Sequence, residues 1–237
     1  MKAVLCKEFG GPETLVVDDI PTPTPGEGEV RLRIHACGVN FGDTLIIRGT
    51  YQVKPELPFS PGMECAGEIS EVGPGVKHHK VGDRVLAMTG HGGFAQEVIV
   101  NAKLLIPIPD SMPFVDAAAF PVAYGTSHVG LDYRAGLKAG ETLLVLGAAG
   151  GVGLTAVEIG KAMGATVIAA ASSAEKLEVC KQYGADHVIN YSEEDIRERV
   201  KEITGGKGAD VIYDPVGGDA FDAAMRSIAW EGRLVVI

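Results

Sequence analysis

The sequence predicts an α/β chain in two parts, a β-barrel-like domain followed by a doubly wound parallel sheet. Three observations carry this. In Leu143–Gly153 a short apolar run, Leu143 to Leu146, passes directly into glycines and then into helical spacing of apolar residues. Such a run suits a strand buried on both faces of a parallel sheet. From there to the C-terminus strand-like and helix-like segments alternate, as in a doubly wound fold. Before it, residues 1 to about 110 carry many short runs punctuated by glycine and proline, the pattern of a barrel.

The N-terminal elements follow in order. Glu29–Ile34 alternates with period two and predicts a strand with one wet face. Pro21–Gly26 is a connection, because its prolines cannot join a central ladder. Gly67–Gly73 and Gly82–Ala87 read as two strands with a Pro74-Gly75 turn between them, and Gly93–Val100 as another. Past Pro107–Pro109 the alanine-rich segment Asp116–Leu131 reads as two helices interrupted by Pro121. These readings divide the chain into residues 1–124 and 125–237.

In the second part the expected strands are Leu143–Leu146, Thr166–Ala170, His187–Ile189, Val211–Tyr213 and Arg233–Ile237. Helices are expected over Val152–Met163, Ala174–Tyr183, Glu193–Ile203 and Asp219–Ala229. The apolar closing strand leads to the expectation of a sixth strand beyond Ile237, in a longer protein.

Composition narrows the function classes. A formal net charge of -10 argues against a general nucleic-acid surface. No run approaches the ~18 apolar residues of a membrane span. Met1–Leu5 leads straight into strand-like sequence with no signal-peptide core, so the expected location is the cytoplasm. The four cysteines, Cys6, Cys37, Cys65 and Cys180, form no C-x-x-C pair and read as reduced thiols.

The glycines carry the chemistry. Gly147, Gly150 and Gly153 are spaced G-x-x-G-x-x-G, with Ala148 where the strict G-x-G-x-x-G pattern has its first glycine. A strand, a tight turn and a helix N-terminus make an anion site from free amides and the helix dipole. Gly147, Gly150, Gly151, Val152 and Gly153 are therefore the expected pyrophosphate contacts. The plainer alternative is a glycine-rich connection between two elements.

Several motifs resemble the medium-chain dehydrogenase/reductase superfamily, in particular its zinc-free quinone oxidoreductase branch, to which zeta-crystallin belongs. They are Gly38-Val39-Asn40-Phe41-Gly42-Asp43, Pro61–Gly67, Gly75–Val85 and Gly147–Gly153. The resemblance covers the whole chain, and implies a GroES-like catalytic domain joined to a Rossmann nucleotide domain. Zinc members of the superfamily carry a cysteine where this chain has Asn40 and a histidine where it has Met63. Their third ligand falls among Phe120, Pro121 and Val122. An amide, a thioether and apolar side chains are poor zinc ligands, so no metal is expected. Asp43 and Glu64 match carboxylates behind the ligands of the zinc members. Here they orient a pocket or form internal hydrogen bonds.

The resemblance also places Asn40, Asp43, Tyr51 and Thr126 in the pocket beside the nicotinamide. Asn40 is alternatively a turn residue, Tyr51 a loop anchor, and Thr126 the N-cap of a helix opening after Gly125. The histidines match no catalytic position of the family, and His78-His79, where relatives carry a less polar pair, reads as a solvated loop.

For the cofactor, NAD enzymes place an acid about twenty residues past the glycines, where it would repel a 2′-phosphate. This chain has Ser172 and Ser173 there, followed by Lys176, and the resemblance adds Tyr191 as an adenine-ribose contact. The expectation is NADPH. The whole reads as an NADPH-dependent, zinc-independent reductase of a quinone or conjugated carbonyl, a homodimer at full length. The alternatives are an enal or enoyl-thioester reductase of the same family and a non-catalytic, crystallin-like NADPH-binding protein.

Overall fold

Alternating apolar residues in the N-terminal half pair into antiparallel strands. The structure, a computed structural model, describes all residues 1–237 and divides into two units, Met1–Val122 and Ala123–Ile237.

In the first unit β1 (Lys2–Leu5) and β2 (Val16–Asp19) form a two-stranded antiparallel ladder that the sequence reading did not anticipate. The main sheet contains β3 (Glu29–Cys37), β4 (Glu64–Val72), β5 (Arg84–Met88), β6 (Glu97–Asn101) and β7 (Leu105–Pro107). Its order is β6-β3-β4-β5-β7, with every neighbour antiparallel. Val30, Leu32, Ile69, Val85 and Ala87 fill its core. Two short helices, α1 (Phe41–Ile47) and α2 (Phe114–Ala118), complete the unit, the second packing Ala117 and Ala118 against Ala66 and Leu86.

α3 (Phe120–His128) begins in the first unit and runs into the second. Pro121 sits in its first turn, where a missing N–H costs nothing, so proline opens the second helix of this region. A π-helical segment, Val129–Arg134, extends it.

The second unit holds β8 (Thr142–Val145), α4 (Gly151–Ala162), β9 (Thr166–Ala171), α5 (Ala174–Gln182) and β10 (His187–Asn190). After these come α6 (Ile196–Ile203), β11 (Ala209–Asp214), α7 (Gly218–Met225) and β12 (Ile228–Val236). The sheet is wholly parallel in the order β10-β9-β8-β11-β12. Alternate residues along its strands serve opposite faces. Leu143, Val145, Val167 and Tyr213 meet Ala156 and Val157 of α4 and Cys180 of α5. Leu144, Ile168 and Ile212 meet Ile196 and Val200 of α6 and Ala224 of α7. This division explains the unbroken apolar run of β8. β12 pairs only with β11 and forms one edge.

Two helix boundaries in the second unit differ from the sequence reading by three or more residues. α6 starts at Ile196 rather than Glu193, because the Asp195 side chain caps it, accepting from Glu198 N at 3.0 Å. Such a cap is worth about 1 kcal/mol. α7 ends at Met225, four residues short of Ala229, and β12 already begins at Ile228, with Glu231 at φ 59° inside that strand where its register against β11 shifts.

Candidate functional site

In the second unit the glycine turn is shaped by contacts that leave no room for a side chain at Gly147 or Gly153. Gly147 has φ +55°, and a Cβ there would stand 2.8 Å from Val216 Cγ2. A Cβ on Gly153 would stand 2.3 Å from the Gly147 carbonyl oxygen, so the first turn of α4 lies directly on the turn backbone. Gly150 N donates to Gly147 O at 2.9 Å, and the first helical bond runs from Leu154 N to Gly150 O at 2.8 Å. The Gly151, Val152 and Gly153 amides precede that bond and head a twelve-residue helix whose N-cap, Gly150, has no side chain. That is the geometry of an anion site.

The tip of β9 is fastened beside the turn, with Ala148 N donating to Ala170 O at 3.0 Å. There Lys176 Nζ donates to Ser172 Oγ at 3.0 Å, while Ser173 Oγ caps α5 by accepting from Lys176 N at 3.4 Å. Tyr191 N donates to Ala171 O at 3.1 Å, and its half-buried ring packs on the Leu144–Ile212 cluster. Ser192, which sequence reasoning missed, donates from Oγ to Ser172 O at 3.0 Å. Ser172, Ser173 and Lys176 thus come together, and Glu175 is exposed.

Two further features had no local signal in the sequence. Asp214 at the end of β11 is 1% exposed; its Oδ1 accepts from Val216 N at 2.8 Å and Gly217 N at 2.9 Å, and its Oδ2 is buried without a partner. Ser127 is fully buried, donating from Oγ to Val152 O at 2.8 Å and sharing hydrogen bonds with Thr155 Oγ1 at 2.8 Å and Tyr213 Oη at 2.9 Å. These hydroxyls tie α3 to the glycine turn and the central sheet. The neighbouring Thr126 lies inside α3, not at the start of a helix, which corrects its reading as an N-cap. The helix is already open at Phe120.

In the first unit Asn40 is the N-cap of α1. Its backbone N–H donates to Asp43 Oδ2 at 2.8 Å, and Asp43 Oδ1 accepts from Gly62 N at 3.0 Å. Glu64 Oε1 accepts from Asn40 Nδ2 at 2.9 Å and Oε2 from Val122 N at 2.8 Å. Asp43 and Glu64 are 4% and 2% exposed, and burial raises both carboxyl pKa values against the opposing pull of these N–H donors. All four oxygens already accept hydrogen bonds, so the pair holds Asn40 and the ends of two elements in place. Asn40 is half-buried and keeps a second Nδ2 hydrogen for an outside acceptor. Tyr51 packs its ring in the cluster of Ile46, Ile47 and Phe59, an anchoring contact. The Met63 thioether lies against Gly42, 2.7 Å from where a Cβ there would stand. Nowhere do three His, Cys, Asp or Glu side chains assemble as ligands.

The first unit matches the alcohol dehydrogenase GroES-like domain over residues 26–110, and the second matches the zinc-binding dehydrogenase family over residues 151–237. The chain is 43% identical over 238 residues to a quinone oxidoreductase-like protein 2 homolog of Nematostella vectensis, covering all of this chain and 65% of that protein. It is 37% identical over 239 residues to human quinone oxidoreductase, covering all of this chain and 73% of that protein. A solved Escherichia coli quinone oxidoreductase complexed with NADPH superposes with a TM-score of 0.95 at 38% identity, over all of this chain and 72% of that one. The chain belongs to the quinone oxidoreductase family.

This quinone oxidoreductase family member spans about two thirds of the length of its Nematostella relative. Although one matching family is described as zinc-binding, Asn40 and Met63 at the ligand positions place the chain with the zinc-free branch. The donor set fits a dinucleotide instead, with a glycine cradle that added methyl groups would fill and a hydroxyl-and-lysine cluster at the tip of β9.

Proposed function

We propose that the protein is an NADPH-dependent, zinc-independent reductase of quinones or conjugated carbonyls. The observation that carries this reading is the Ser172–Lys176 contact at the tip of β9, where an NAD enzyme has an acid. Two hydroxyls and an ammonium suit a 2′-phosphate, with Tyr191 beside them for the adenine ribose. Gly147, Gly150, Gly151, Val152 and Gly153 receive the pyrophosphate, which the first-turn amides of α4 hold without a side-chain competitor.

Bound NADPH supplies the hydride. Asn40 is the residue we assign to the acceptor, with Asp43 as its positioning residue and Tyr51 anchored against α1. Asn40 offers its free N–H to a carbonyl oxygen, and Asp43 and Glu64 hold the Asn40 backbone and side chain in that orientation. Neither carboxylate has an oxygen free to move a proton, which suits an acceptor whose reduced oxygens take protons from water.

The test follows NADPH absorbance across a panel of benzoquinones, naphthoquinones, enals and enoyl thioesters. The reading predicts turnover with quinones or enones, unaffected by chelators. Binding of NADPH without oxidation across the panel would leave a non-catalytic binding protein, and turnover confined to enoyl thioesters would move the activity to the enoyl reductases.

A further inference from the structure

Outside the groups described so far, the first unit contains a cavity of about 420 Å³ between the Pro74–Lys80 loop and the segment entering β7. Its apolar lining is Val76, Ala102 and Leu105, the last a member of the buried cluster of Val30, Leu32 and Val85 and the other two half-buried against it. The cavity is therefore a surface cleft whose floor packs against the barrel core. Around the floor stand Lys77, His78, His79 and Lys103.

The charges there are unusual for a chain of net charge -10. His79 is mostly covered, with its Nδ1 3.8 Å from Asp83, and Asp83 also faces Lys80 at 3.9 Å. No carboxylate pairs with Lys77, His78 or Lys103. Two exposed ammonium groups and an unpaired imidazole thus surround an apolar floor, and no internal partner accounts for them. One acid stands nearby: a Cβ on Gly75 would lie 3.4 Å from Glu27 Cγ. That carboxylate disfavours a dianion and favours a ligand bearing one negative charge.

We propose that this cavity binds an amphipathic monoanion, an aliphatic carboxylate whose chain lies on Val76, Ala102 and Leu105 and whose head is held by Lys77 and Lys103. The volume is in the range of small-molecule sites, and an apolar lining with a few placed polar groups is their usual composition. The site is independent of the nucleotide turn and of the Asn40 cluster. It also gives the His78-His79 pair, first read as a solvated loop, a place in a wall.

Calorimetric titration of the full chain with decanoate tests this, with 1-decanol and inorganic phosphate as probes lacking the charge or the chain. Decanoate should bind at one site per chain, and Lys77→Gln with Lys103→Gln should weaken it roughly tenfold or more. Ala102→Phe, which fills the floor, should weaken it as well in protein that melts like the wild type. Lys54→Gln, outside the cavity, should change nothing, and no variant should alter NADPH oxidation. The two glutamine substitutions lie on exposed side chains, so they report even if Ala102→Phe misfolds. Absence of decanoate binding, equal binding of decanol, competition by phosphate alone, or binding unchanged by the paired glutamine substitutions would each overturn the proposal.

Discussion

Lys176 is the residue on which cofactor choice turns. Its ammonium rests on Ser172 Oγ at 3.0 Å and is exposed, so a 2′-phosphate would gain a charge-assisted contact with little reorganisation. Lys176→Ala should raise the KM for NADPH by about 10- to 100-fold and leave NADH nearly unchanged. The loss should shrink as salt rises, because an exposed charge is screened. Equal shifts for the two cofactors would mean disturbed folding instead. This cluster was legible in the sequence because its members lie within five positions and share a strand end and a helix cap. The Glu64–Val122 and Ser127–Tyr213 bonds join residues 58 and 86 positions apart, and no local pattern announces them. Glu64 was singled out by resemblance alone, and which backbone amide it would hold was hidden.

At the scale of elements, the closing edge of the parallel sheet is held by an ion pair. Arg233 of β12 reaches Glu141, just before β8, with Nη2 to Oε2 at 2.7 Å and Nη1 to Oε1 at 2.9 Å, and its Nε donates to Ala135 O at 2.9 Å. The hydrogen bonds from Arg233 hold the Glu141 carboxyl below its ordinary value of 4.5. A carboxyl whose pKa is lowered on folding stabilises the fold above its unfolded value, and that contribution disappears as pH falls through the folded value. Glu141→Gln should therefore lower the melting temperature at pH 7, with the difference from wild type closing below about pH 4.5. A constant difference down to pH 3 would assign the effect to packing. Helix and strand existence was readable from period and glycine placement in β3, β8, α4 and α5. Their ends were less so: the starts of α6 and the turn after α7 depend on which side chain caps and which backbone closes. Thr126 looked like a cap only because Gly125 precedes it, whereas the helix continues through both.

For the whole molecule, alternation of strand and helix after Leu143 was enough to predict the doubly wound sheet, since parallel neighbours need crossovers. The β1–β2 pairing escaped notice because β2 has only four residues and is mostly exposed, so no alternation marks it as a partner for β1. Burial also governs the thiols across both units. Burial pushes Cys37 and Cys65 up to about 12 and raises Cys6 and Cys180 as well. A thiol reacts as its thiolate. Ellman's reagent at pH 8 should thus label almost none of the four cysteines in the folded protein and all four after guanidinium unfolding. Rapid labelling of the native chain would show that the cores around β3 and α5 open readily. No helix is long and apolar enough to cross a membrane.

The central claim is that the tip of β9 selects the phosphorylated dinucleotide, and its most direct test is a pair of binding titrations, NADPH and NADH, on the wild-type chain at one ionic strength. A site built from Ser172, Ser173 and Lys176 predicts NADPH binding tighter by about tenfold or more. Equal affinities, or tighter binding of NADH, would contradict it.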